Sequence, residues 1–370
     1  MTAGSLRVPL KELLPGLESY NPLPLASTDV VIHAPGFEDR TMAVAESVMS
    51  TAGSRAVLLD YLPFNPENRL RDVRHALSVR GVQVGDEDIL MYDRFDPGDF
   101  EVRLRERLLY HRARRAVVDI SSMSKLAIML VLGVCLLLDL EVCVLYTEAK
   151  SYAPSKEKFE EARDRKEIHQ PTVQVFTGIH GVVRVDSLAS VAMQGQPTAA
   201  MVFMSFNDAL TQVLLDTVYP SRLFLINGRP PVLRWREAAT AWIHEQVRRE
   251  WEEDNPLIPV VGHETPLPER AVSTLYYRET VSLLLELYWA LSAKHRILLA
   301  PSGSKMQAVG CYIVKALHPD IQIEYPSPEG FRRGYSTDIG TRWLINFGHF
   351  SERLAAITHA ERREYLEIKT

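Results

Sequence analysis

Apolar residues in this chain fall into two kinds of run. Short aliphatic runs alternate with longer stretches whose apolar positions recur every three or four residues, the periods of buried strands and amphipathic helices. The first strand signal is residues 30–32 (VVI), followed by an Ala34-Pro35-Gly36 turn and helical spacing over residues 41–49 at Met42, Val44, Ala45 and Val48. Residues 55–62 predict a second strand, 68–80 an amphipathic helix and 89–92 a third strand. Residues 100–111 predict a charged surface helix, with strands at 116–120 and 141–146. Between the last two lies LAIMLVLGVCLLL, residues 126–138, which is apolar on all sides. It is too short to cross a bilayer and predicts a buried helix. The pattern then restarts, with strands at 199–204, 222–226, 296–300 and 321–325. Helices are predicted at 207–218, 235–251, 278–293 and 305–317, with a loop-rich connection at 256–268. A strand at 342–346 and a charged helix close the chain. Strands alternating with helices predict mostly parallel sheets.

Five segments follow. Residues 1–27 form an arm broken by Pro15, Pro22 and Pro24; 28–150 form a Rossmann-like half; 151–196 are a charged helical connector; 197–340 form a second Rossmann-like half; 341–370 are a terminal strand and helix. Shifted by 180 positions, VVDISSMSKLAIMLVLGVCLLLDLEVCVLY lies on ILLAPSGSKMQAVGCYIVKALHPDIQIEYP without a gap. Ser122 then meets Ser302, Ser124 meets Ser304 and Lys125 meets Lys305. With another offset, VVIHAPGFEDRTMAVAESV resembles AAMVFMSFNDALTQVLLDTV. Two matches in the same order point to internal duplication, against the background that all parallel β/α units share these periodicities. The expected fold class is α/β, with two tandem parallel-sheet halves.

The strongest chemical features are the turns Ser121-Ser122-Met123-Ser124-Lys125 and Pro301-Ser302-Gly303-Ser304-Lys305. Each is expected to leave a strand and open a helix, at the sheet edge where open α/β folds bind ligands. A helix N-terminus offers free N–H groups and partial positive charge. Serines add donors or cap the helix, and lysine adds a full charge beside a phosphate. The candidate ligand-binding residues are therefore Ser122, Ser124, Lys125, Ser302, Gly303, Ser304 and Lys305. Gly36 and Arg40, after the first strand, join them, as do Arg332 and Arg333 in the loop after residues 321–325. Gly303 and those two arginines favour Lys305 as the stronger phosphate ligand. The competing reading of each turn is a capped helix with a solvated lysine. Asp119 offers a base but sits where it would hold the serine turn, and His33 reads as a packed residue. No catalytic residue is assigned, and enzyme activity is not the leading expectation.

GxxxxGK[ST] and GxGxxG are both absent, so no cofactor is expected. Neither a zinc-spaced His/Cys cluster nor a CxxC pair occurs, so no metal is expected either. Three cysteines in apolar stretches predict free thiols in a reducing, cytoplasmic compartment. The net charge of −5 and pI near 6.2 exclude a broad nucleic-acid-coating surface.

The two Ser-x-Ser-Lys turns, each at the end of a Rossmann-like unit, resemble those of the CRISPR-associated Rossmann fold (CARF) sensors. Two such units in one chain resemble the SAVED sensors of bacterial anti-phage systems. The first turn departs from that pattern by lacking glycine. The resemblance implies a nucleotide sensor in prokaryotic defence, with a cyclic or linear oligonucleotide as ligand. It also implies an oligomer and a separate effector protein, since no fused effector or membrane segment is evident in the sequence. A ring-nuclease-like phosphodiesterase and a non-binding structural subunit are the alternatives.

Overall fold

The computed structural model describes residues 8–20, 22–50, 53–167, 173, 175–254 and 270–369. The chain divides into two compact units. One comprises Lys11–Ala153 with Arg332–Ala355; the other comprises Pro154–Phe331 with Met1–Leu10 and Ala356–Thr370. The connection expected at 256–268 lies outside the described residues.

The first unit is built on β1 (Asp29–His33), β2 (Arg55–Leu62), β3 (Ile89–Asp93), β4 (Arg115–Asp119) and β5 (Glu141–Tyr152). These five are parallel, in the order β3-β2-β1-β4-β5, the doubly wound arrangement. Every residue of β1 is buried, as a central parallel strand with Val30-Val31-Ile32 requires. On one face, Val31, Ala56, Leu58, Val117 and Leu145 pack with Val73 and Leu77 of helix α1 (Leu70–Val79). Helix α2 (Phe100–Tyr110) contributes buried Phe100, Leu104 and Leu108. Helix α3 (Lys125–Leu137) is the predicted apolar helix, and every side chain from Leu126 to Leu132 is buried. Among the described residues no helix is long and apolar enough to cross a membrane.

The second unit holds β6 (Thr198–Phe203), β7 (Arg222–Arg229), β8 (Ala271–Ser273), β9 (Arg296–Ala300) and β10 (Gln322–Ile323). All are parallel, in the order β8-β7-β6-β9-β10. That is the strand order of the first sheet, a likeness of topology. Helices α4 (Asp208–Val218), α5 (Trp235–Asp254), α6 (Tyr277–Leu291) and α7 (Lys305–Leu317) belong to this unit. The core includes Ala200, Val202, Leu214, Leu223, Val247 and Leu298.

Several expectations differ from the structure. The helix at 41–49 is a 3-10 turn (Asp39–Met42) followed by a short α-helix (Ala43–Ser47), because Val48 turns extended and pairs with Leu23. Strand β8 was not expected; three residues carry too little periodicity to register. Residues 151–196 hold a helix (Lys156–Asp164) but also a strand (Ile179–Val183), which pairs antiparallel with Tyr325–Pro328. The second half does not extend to residue 340. Strand Ser336–His349 lies antiparallel against β5, so Arg332–Ala355 belongs to the first unit. The period of a strand is local, whereas its partner is chosen by a distant, otherwise open sheet edge.

Candidate functional site

In the first unit the order reverses between β1 and β4, and the loops leaving their C-terminal ends meet there. His33 and Asp119 are register partners at the two strand ends. The Ser122 hydroxyl donates to the Ala34 carbonyl at 2.7 Å and lies 2.9 Å from Thr41 Oγ1. Gly36 sits against this turn: a Cβ there would stand 3.2 Å from Ser122 Cβ, and its N–H donates to Thr41 Oγ1 at 3.0 Å. Ser124 is the N-cap of α3, accepting from the Ala127 N–H at 3.1 Å. Its own N–H donates to the Tyr61 hydroxyl at 2.7 Å, and burial pushes that phenol up to about 12.

Lys125 opens α3 and is partly exposed. It has no hydrogen-bond or ion-pair partner among the described residues, and loss of solvation pulls its pKa down to about 8. An ammonium at a helix N-terminus also opposes the helix dipole. The site is therefore an uncompensated cation at a helix N-terminus, which is suited to an anion.

In the second unit the equivalent turn leaves β9. Ser304 is the N-cap of α7 in a full capping box: its hydroxyl accepts from the Gln307 N–H at 3.1 Å, and Gln307 Oε1 accepts from the Ser304 N–H at 2.7 Å. The Ser304 hydroxyl also donates to the Thr274 carbonyl at 2.7 Å. Gly303 was expected to let a ligand approach. Instead its missing side chain makes room for the cap, since a Cβ there would fall 2.1 Å from Gln307 Oε1. Ser302 Oγ and both amide atoms of Asn207, at the loop after β6, are buried without hydrogen-bond partners. Lys305 opens α7 but already interacts within the protein.

Arg40 is fully buried rather than presented at the edge. It pairs with Glu38, and its Nη1 donates to the Tyr152 hydroxyl at 3.3 Å. Burial works against its charge, but Glu38 and neighbouring tyrosines lift its pKa well above the ordinary value. Arg332 and Arg333 were expected beside the second turn. They are exposed, they group with the first unit, and Arg333 pairs with Glu67 at 3.5 Å. The structural grounds for favouring Lys305 over Lys125 therefore disappear.

Sequence reasoning offered Thr41 only as a cap for the helix after the first strand, and missed Tyr61, Asn207 and Gln307. Thr41, in the 3-10 turn, and Tyr61, on β2, reach the serine turn from elements distant in sequence, so no local motif exposes their roles. Gln307 was legible as the N3 residue of the capping-box pattern Ser-x-x-Gln. No known family model matches the chain, and no curated protein is detectably similar to it in sequence.

Proposed function

We propose that this protein is a nucleotide-binding sensor subunit of a prokaryotic defence system, taking phosphate groups of its ligand at the Ser-x-Ser-Lys turns. The observation that carries the reading is Lys125, a desolvated ammonium without a counter-charge at the mouth of a helix, beside the switch point of a parallel sheet. An anion supplies the missing charge and accepts the free N–H groups of the first turn. The resemblance of both turns to the CARF sensors supports an oligonucleotide messenger, a cyclic one included, and a separate effector.

The test begins with denaturing extraction of the purified protein and mass spectrometry of the released small molecules. Calorimetric titration with mononucleotides and with linear and cyclic oligonucleotides follows. Lys125→Ala is expected to weaken binding by roughly ten- to hundredfold, the worth of one charge-assisted hydrogen bond. Lys305→Ala is expected to cost less. Unchanged affinity in both variants, with intact folding, removes the lysines from the site and leaves the structural-subunit reading.

A further inference from the structure

The loops at the first switch point also carry a connected set of proton-transfer groups. The Ser122 hydroxyl is 2.9 Å from Thr41 Oγ1, and Thr41 Oγ1 is 3.1 Å from His33 Nε2. His33 Nδ1 faces Asp119 Oδ2 at 3.7 Å, an electrostatic contact longer than a hydrogen bond that a small approach of the two side chains would close. Asp119 is held in place through its other oxygen, which accepts from the Ser121 N–H at 2.8 Å and from the Ser121 hydroxyl. The Ser121 oxygen in turn accepts from the Thr147 N–H at 2.8 Å. His33, Thr41 and Asp119 are completely buried, and only Ser122, at the outer end of the chain, is partly exposed. The order carboxylate, imidazole, hydroxyl, hydroxyl leads from the interior to the edge where Lys125 opens α3.

The fold does not need these residues where they stand. The second sheet has the same strand order, yet at the ends of its corresponding strands it pairs Val202 with Ala300. A buried His–Asp pair is costly to desolvate, and an apolar pair serves the sheet without that cost. The first unit thus retains an acid–imidazole pair that its topological counterpart does without.

We propose that the first unit is a phosphodiester-cleaving centre in which Ser122 is the nucleophile, His33 its general base acting through Thr41, and Asp119 the group that orients His33. The proposal rests on the reading that a phosphate ligand sits at this turn. Once the Ser122 proton turns from the Ala34 carbonyl to Thr41 Oγ1, His33 Nε2, in the tautomer with Nδ1–H toward Asp119, accepts the Thr41 proton while Thr41 accepts that of Ser122. Ser122 Oγ bonds to phosphorus, the ester bond to the leaving oxygen breaks, and the proton taken up by His33 returns through the Thr41 hydroxyl alone to that oxygen, since Ser122 Oγ is then an ester oxygen. Water then attacks phosphorus and breaks the Ser122–phosphorus bond. Its proton restores the serine, leaving a phosphomonoester. Thr41 and Asp119 are positioning residues, and Lys125 lies three residues beyond the nucleophile, at the start of α3.

The experiment uses the full chain and two probes. Diisopropyl fluorophosphate forms a phosphorus–serine bond with loss of fluoride, read by intact mass and peptide mapping. Bis(4-nitrophenyl) phosphate reports turnover. Wild-type protein is expected to label at Ser122 and to release nitrophenolate, and Ser122→Ala to do neither. His33→Gln and Thr41→Val are expected to slow both by roughly 10²- to 10⁴-fold, and Thr41→Ser to restore most of the rate. Because His33 is buried, the partly exposed Ser122→Ala and the Thr41 pair keep the test decisive if His33→Gln misfolds. Absence of Ser122 labelling in folded wild-type protein overturns the proposal, as does labelling that is unaffected in Thr41→Val. Titration with AMP separates the two readings. AMP binding without labelling overturns only the catalytic centre, whereas no AMP binding, with labelling intact, overturns the AMP-like phosphate site and not the nucleophile.

Discussion

Lys125 shows what a single unpaired ammonium costs the fold. Its pKa of about 8 lies below the ordinary 10.5, because burial disfavours the ammonium and no partner restores it. The unfolded chain therefore binds the proton more tightly than the folded one. The penalty is complete below pH 8 and vanishes as pH rises toward 10.5. Lys125→Met is accordingly expected to stabilise the ligand-free protein at pH 7 by about 1–2 kcal/mol, allowing for the partial exposure of the side chain. Urea melts at pH 7 and pH 10 check this; a variant that is less stable at pH 7 contradicts it. The two turn glycines make a second comparison. Gly303→Ala drives a Cβ into Gln307 Oε1 and breaks the cap of α7, an expected loss of about 1–2 kcal/mol. Gly36→Ala meets only a 3.2 Å contact with Ser122 Cβ and is expected to cost less in the same melts.

Between elements, α4 and α5 are joined by a buried histidine. His244 Nδ1 donates to the Thr240 carbonyl at 3.0 Å, and its Nε2 accepts from the Thr211 hydroxyl of α4 at 3.2 Å. Burial lowers its pKa to about 4, against a weaker upward pull from the Thr240 carbonyl and Asp208. The unfolded histidine titrates near 6.5, so the folded state holds fewer protons between these values. Stability conferred by neutral His244 is full above pH 6.5 and lost as pH falls toward 4, about 3 kcal/mol in all. The second unit is therefore expected to lose stability steeply as pH falls through that window. His244→Gln should flatten the slope while lowering stability at neutral pH. Urea titrations at pH 7.5, 6 and 4.5 measure both, and an unchanged slope in the variant assigns the effect elsewhere.

At the scale of the whole chain, the first sheet closes only with residues near the C-terminus. Ser336–His349 runs antiparallel to β5, with Ile345 opposite Val144 and almost fully buried. The first unit is thus a discontinuous cooperative piece. Ile345→Pro removes a packed side chain and a ladder N–H, and is expected to destabilise that unit by about 3 kcal/mol or more. Hydrogen exchange read peptide by peptide is expected to lose protection in β1, β4 and β5 while β6 and β9 stay protected. Equal loss in both sheets makes the chain one cooperative unit instead.

The sequence alone determined the features that depend on local period and local chemistry. Val30-Val31-Ile32, the run from Leu126 to Leu132 and the two Ser-x-Ser-Lys turns were legible because a strand, a buried helix and an N-cap each write their pattern into neighbouring residues. The tertiary structure decided what depends on which distant backbone comes close. Ser336–His349 joined the first sheet because β5 otherwise ends in unpaired N–H and C=O groups, a demand no local pattern reveals. Arg40 turned inward to Glu38 and Tyr152, and Arg333 went to Glu67, because a long cation settles on whatever carboxylate or hydroxyl the fold brings near. His33, read as a packed residue, and Asp119, read as support for the serine turn, are indeed buried. Only parallel pairing of β1 with β4, across more than eighty residues of chain, sets them side by side in line with Thr41 and Ser122.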